Sequence, residues 1–234
     1  PTLLNSEAVT VAILKQKQNV VTKKSLFEIL EPPCKYNAFV RAINGAVKYL
    51  ARIVVVLLRL AVLGGSHPVK LTDWTDIPVC LPKNANHHQT MAALASWSKN
   101  GKGWFYGLKL HLSGDLDGKV LALRLTTAGA SDREVFKAMN ETLRGLFVAD
   151  AGYISQKLQE EFFIEGKRML MTAVRGNMKK LATGAHIALL NLRMRVEVHF
   201  RTLKLSYGIV TSFPRSINGY LAHYLASICA YLLA

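Results

Sequence analysis

A mixed α/β fold preceded by a small helical region is the class this sequence predicts, on three observations. Helical apolar spacing runs from Leu3 to Leu63 and stops at Gly64–Gly65. At His67 the spacing changes to alternation, in "PVKLTDWTDIPVC" and again in "WFYGLKLHLSG". Strand-like and helix-like segments then take turns to the C-terminus, the pattern expected when helices cover a sheet whose strands they connect. Half of the 234 residues are hydrophobic and 19% are charged, which gives the chain enough apolar mass for a core and argues against wholesale disorder.

Each element follows from local chemistry. In "NSEAVTVAILK", Asn5 or Ser6 is expected to cap a first helix, "KKSLFEIL" continues the helical region, and Pro32–Pro33 breaks it. One helix or a pair is predicted from about Asn37 to Leu63. Residues 68–80 read as extended, and the polar stretch 83–103 as a loop. Residues 104–114 and 119–129 form a hairpin around "GDLDG", with Lys109 and His111 on its wet face. Ser131 and Glu134 are placed as a capping box for a helix over 131–143. "GLFVAD" is a short buried strand ending at Asp150, "ISQKLQEEFFIEG" a helix, and "RMLMTAV" (168–174) another strand. Helices over about 187–205 and from Ser216 onward complete the chain.

Written out, residues 67–234 read β-β-β-α-β-α-β-α, the arrangement of an RNase H-like mixed sheet, with a helical domain over residues 1–66 and the C-terminal helices counted with the sheet. In that arrangement strands one and four are neighbours. Asp73 on the first strand and Asp150 at the end of the fourth would meet at one edge, and Glu197 from a later helix could close the cluster.

Charge narrows the function. Thirty Lys and Arg against fifteen Asp and Glu give +15, a field that attracts polyanions, nucleic acid first. The acids are sorted: Glu7, Glu28 and Glu31 lie in residues 1–72, eleven lie between Asp73 and Glu165, and Glu197 alone follows. Three scattered cysteines, Cys34, Cys80 and Cys229, with no CxxC pair, fit neither a disulfide framework nor a zinc knuckle. The apolar stretch 46–65 is interrupted by Lys48, Arg52 and Arg59, and the stretch 219–234 is short and holds His223, so neither is read as a membrane span. No leader signature is legible, and a chain that begins at Pro1 rather than Met is expected to lack its native start.

Three carboxylates in a basic protein suit phosphodiester chemistry. Magnesium prefers hard oxygen ligands, and two ions about 3.5–4 Å apart can activate an oxygen nucleophile and stabilise a leaving oxygen. Taken singly, each acid has an ordinary reading. Asp73 is a turn or cap residue with Asp76 as its rival, Asp150 is structural, and Glu197 is an ion-pair partner of Arg193 and Arg201 at i−4 and i+4. Their order along the chain is what favours a shared site.

Five blocks, "LTDWTDIPVC", "FYGLKLHL", "LTTAGASD", "ADAGYIS" and "RVEVHFRTLKLSYGI…RSINGYLAHYLASICAYLL", together with the opening "NSEAVTVAIL", resemble the DDE transposases of bacterial insertion sequences, most closely the insertion sequence 982 group. The resemblance implies that Asp73, Asp150 and Glu197 are the catalytic and metal-binding trio, separated by 77 (150 − 73) and 47 (197 − 150) residues. It further implies two magnesium ions, replaceable by manganese, and cleavage at transposon ends followed by joining of the 3′-hydroxyl ends to target DNA. Residues 1–66 become a DNA-binding or dimerisation region, and the protein a homodimer on double-stranded DNA in the bacterial cytoplasm, with no membrane partner. Arg193, Arg195, Arg201, Lys204, Arg215 and Lys109 are expected to neutralise DNA phosphates. Two departures stand out: Trp74 follows Asp73 where the family usually has a small polar residue, and Ala149 precedes Asp150 where glycine is common. The alternative is a decayed or domesticated transposase that binds DNA without cutting it.

Overall fold

A computed structural model describes residues 2–173, 183–210 and 213–234 and divides the chain into two compact units. One unit comprises residues 1–57, 77–95 and 200–234, and the other comprises 58–76 and 96–199.

The first unit is helical. It contains α1 (Asn5–Lys17), α2 (Lys23–Leu30), α3 (Tyr36–Gly45), the first part of α4 (Val47–Leu63), a 3₁₀ turn over Pro82–His87 and α9 (Ile217–Leu232). The segment from Asn37 to Leu63 is thus a pair of helices, parted at Ala46. The first cap differs from expectation: α1 starts one residue earlier, with Leu4 N donating to the Glu7 carboxylate at 2.8 Å. α9 is apolar nearly all round and is buried accordingly, with Tyr220, Ala222, Tyr224, Ala226, Cys229 and Ala230 each at most 1% exposed. Ser216 caps it through Gly219 N. It packs on α1 and α3, and polar bonds tie it to α1 and α4: His223 Nδ1 accepts from Gln16 Nε2 at 2.7 Å, and Cys229 Sγ donates to Leu50 O of α4 at 3.5 Å.

The C-terminal helix belongs to the same compact unit as the N-terminal helices, because its all-round apolar surface needs helices on more than one side. No helix among the described residues is long and apolar enough to cross a membrane.

The second unit is built on a six-stranded mixed sheet, ordered β2-β3-β1-β5-β6 with β4 also on β3. The strands are β1 (Val69–Pro78), β2 (Ser96–Asn100), β3 (Gly103–Asp115), β4 (Val120–Thr127), β5 (Gly145–Ala149) and β6 (Arg168–Thr172). β2 lies inside the stretch expected to be a loop. Its residues "SWSKN" alternate too weakly in polarity to announce a strand, and pairing with Gly103–Gly107 of β3 creates it. β4 pairs with the rest of β3 and meets β2 end to end, where the hydroxyls of Ser96 and Thr127 are 2.6 Å apart. β1, β5 and β6 run parallel.

Two helices, α5 (Asp132–Met139) and α6 (Gln156–Phe162), connect these strands and close a core around Phe136, Phe147, Tyr153 and Phe162. Their rings meet edge-on or tilted at centroid distances of 4.8–5.8 Å. Ser131 does precede α5, but its side chain makes no cap bond, so no reciprocal capping box forms. The helix expected over 187–205 is two: α7 (Gly184–Leu192) and α8 (Arg195–Leu205), broken at Arg193–Met194. Residue 174, the expected end of the last strand, lies outside the described residues.

Candidate active site

Parallel pairing brings the two aspartates together. Thr72 of β1 stands opposite Ala149 of β5, so Asp73, midway along β1, and Asp150, the first residue past the end of β5, lie at the same level of the sheet. Neighbouring strands are about 4.8 Å apart. Asp76, three residues further along β1, lies past the end of β5. The register therefore puts Asp73, and not Asp76, beside Asp150.

Arg193 joins the pair. Its Nη1 donates to Asp73 Oδ2 at 2.5 Å, and its Nη2 lies 4.0 Å from Asp150 Oδ1. Arg193 is the C-cap of α7, on the short link to α8. Asp73 Oδ1 accepts from Trp74 N at 2.8 Å. Burial pushes the Asp73 carboxyl up to about 6, opposed by the Trp74 amide and the Arg193 guanidinium and reinforced by the charges of Asp150 and Glu197. Glu197 is thus within electrostatic reach of Asp73. It is exposed in the first turn of α8, where the helix N-terminus favours a negative charge.

The expected ion pairs of Glu197 with Arg193 and Arg201 are absent among the described residues, because Arg193 turns to the aspartates instead. Arg195 is exposed, with Nη1 donating to Leu116 O at 3.1 Å. Arg201, Lys204 and Arg215 belong to the helical unit, where Arg201 and Arg215 are exposed and Lys204 is half-buried.

Lys109 is not a surface cation. It is 5% exposed, lies 2.7 Å from Asp132 Oδ1 and sits 4.3 Å from the centroid of the Trp74 ring. Both faces of β3 are covered from Gly107 to Asp115, which removes the wet face that alternation suggested. His111 is 1% exposed, bonded to Thr126 Oγ1 at 3.0 Å, and pushed down to about 4 by burial. Trp74, one of the two departures from the family pattern, has this supporting job: its ring packs beside the core and under the Lys109 ammonium. Sequence reasoning assigned Arg193 to DNA phosphates and missed its bridge to the aspartates. An arginine four residues before a lone glutamate gave only a local signal.

The donor chemistry, carboxylates alone, suits a hard divalent cation. Among the described residues, however, no three His, Cys, Asp or Glu side chains are arranged to hold a metal ion, and the positive charge beside the two aspartates is that of Arg193.

Carboxylates brought together where β5 ends beside its parallel neighbour β1 define the class as an α/β protein with an acidic site on its sheet. The family model of the transposase DDE domain matches residues 63–217, more than half of the chain, and the chain belongs to that family of DDE transposases. It is similar in structure to the piggyBac transposase, solved by cryo-electron microscopy as a synaptic complex with hairpin DNA, with a TM-score of 0.57 and 11% identity. The match covers 97% of this chain and 65% of that one, a likeness of fold. No curated protein matches.

Proposed function

We propose that this protein is an active DNA transposase that binds the ends of an insertion sequence, cleaves phosphodiester bonds there and joins the 3′-hydroxyl ends to target DNA. The observation that carries the reading is the register Thr72–Ala149, which sets Asp73 beside Asp150, with Glu197 close enough to act on the Asp73 charge. The strand order, with β2 set aside, supports reading the sheet as RNase H-like. Asp73, Asp150 and Glu197 would hold the divalent ions, magnesium by preference and manganese in its place. Bound there, the ions would supply Lewis-acid polarisation of the phosphoryl group and a lowered pKa for an attacking oxygen. Arg193 then exchanges the aspartates for a DNA phosphate, joined by Arg195 on the exposed face of α8. Arg201, Lys204 and Arg215 extend the phosphate contacts from the helical unit. The neighbour's synaptic complex with DNA supports double-stranded DNA as the partner and a homodimer holding two ends. The resemblance to the insertion sequence 982 group supports a bacterial protein that works in the cytoplasm.

The test is incubation of the full chain with the element's terminal repeats and magnesium or manganese. Wild-type protein is expected to nick or cut the repeat, and Asp150→Ala and Glu197→Gln to lose at least about 100-fold in rate, the scale of one electrostatic contact removed from a transition state. Equal cleavage by all three would overturn the reading.

A second reading, a DNA-binding transposase relative that no longer cuts, draws on the Arg193 bridge and on the lack of a preformed three-ligand cluster among the described residues. It predicts binding to the repeats with no cleavage under any divalent ion.

A further inference from the structure

The strands that carry the aspartates at one end border a second site at the other. A cavity of about 520 Å³ lies at the N-terminal ends of β1 and β5, within the sheet unit. Its walls include Lys70, Arg144 and Lys167 and the hydroxyl residues Ser66 and Thr142, and none of its lining residues is acidic. Glu141 and Glu165 adjoin it in sequence and do not line it.

The three cations have no carboxylate partner among the described residues, a notable state for Lys70, which is 3% exposed. Its ammonium donates to His67 O, one acceptor for three donors. Asp115 is the acid that acts on it electrostatically, but the oxygens of Asp115 are taken by the backbone amides of His67, Asp117 and Lys119 at 2.9–3.1 Å. Burying a charge without a counter-ion is costly, and a bound anion would offset that cost.

Gly145 lines the cavity beside Lys70. It holds φ +121°, and a Cβ built there would collide with Pro68 O and lie 3.3 Å from Lys70 Nζ. Its own amide donates to Lys167 O at 2.8 Å, which fixes the turn that bears Lys167 against the strand.

We propose that this pocket binds a phosphate ester, with Lys70 buried at its floor and Arg144 and Lys167 exposed at its mouth. Guanidinium and ammonium groups together match the charge and the acceptor geometry of a phosphate. The volume exceeds that of a bare phosphate and falls in the range of small-ligand sites. The phosphate can come from a free nucleotide or from a DNA backbone lying across the mouth. The site stands apart from the acidic trio and does not depend on its activity.

The experiment uses the full chain, with a nucleoside monophosphate and a short fluorescent duplex as separate probes. Arg144→Gln combined with Lys167→Gln is compared with Lys99→Gln combined with Lys102→Gln, which removes the same charge from exposed positions on the β2–β3 hairpin. The first pair is expected to weaken binding of at least one probe about 10-fold more than the second. If the duplex is that probe, its salt slope should also fall by about two, one for each phosphate no longer neutralised. Selective loss for the monophosphate identifies a nucleotide site, and selective loss for the duplex alone identifies a backbone site. Equal losses from both pairs, for both probes, would overturn the proposal and leave only the general positive field. Binding of both probes is read without divalent ions, so a failed cleavage assay leaves this result standing.

Discussion

Arg193 is the residue whose meaning changed most. In sequence it is one of several arginines around a lone glutamate. In the fold it is the counter-ion of two aspartates, with side-chain exposures of 17% for Arg193, 16% for Asp73 and 51% for Asp150. The short, half-buried contact to Asp73 is the strong one, and the longer contact to exposed Asp150 is worth little. Replacing Arg193 with Gln leaves the Asp73 carboxylate desolvated without its cation, which should cost about 1–3 kcal/mol of stability. The same change should raise the affinity for manganese, read by calorimetry, because a fixed positive charge no longer competes with the ion. An affinity that is unchanged or lower would show that the guanidinium is no competitor.

Among elements, α5 illustrates how little of a helix's stability is local. It spans eight residues and lacks a side-chain cap bond, so alone it would be marginal. Phe136 holds it, fully buried and in ring contact with Phe147, Tyr153 and Phe162. Phe136→Ala should therefore cost about 3–5 kcal/mol in chemical denaturation, the range for large aromatic truncations in a core. The loss should reach the active site too, since Tyr153 lies just past Asp150 and packs on the same ring. Tyr153 is itself a core residue, at 1% exposure.

At the scale of the whole molecule, acid stability should depend on a histidine far from any carboxylate site. His223 is 4% exposed and neutral, accepting from Gln16 at Nδ1 and donating from Nε2 to Gly208 O at 3.0 Å. Burial, helped by the Lys15 charge, pushes it down to about 3. A folded value below the unfolded one means that its contribution is present above about 6.5 and is lost as pH falls toward 3. His111, pushed down to about 4, acts with the same sign. Thermal midpoints should therefore fall on acidification from pH 7 toward 4, and His223→Asn should flatten that fall. A pH dependence identical to wild type would remove His223 as its source.

Much of this protein was determined locally. Alternation and turn chemistry specified β1, the β3–β4 hairpin and β5, and the chain order of acids marked Asp73, Asp150 and Glu197 as candidates, because these signals depend on near neighbours in sequence. Only the tertiary structure could decide the rest. Register set Asp73 beside Asp150, cross-strand pairing made β2 a strand, and layers on both faces of β3 buried Lys109. Arg193, on the link between α7 and α8, met the aspartates, and all-round burial drew α9 to the N-terminal helices. Each of these outcomes depends on contacts between residues far apart in the chain, whose partners are specified only once the chain has folded.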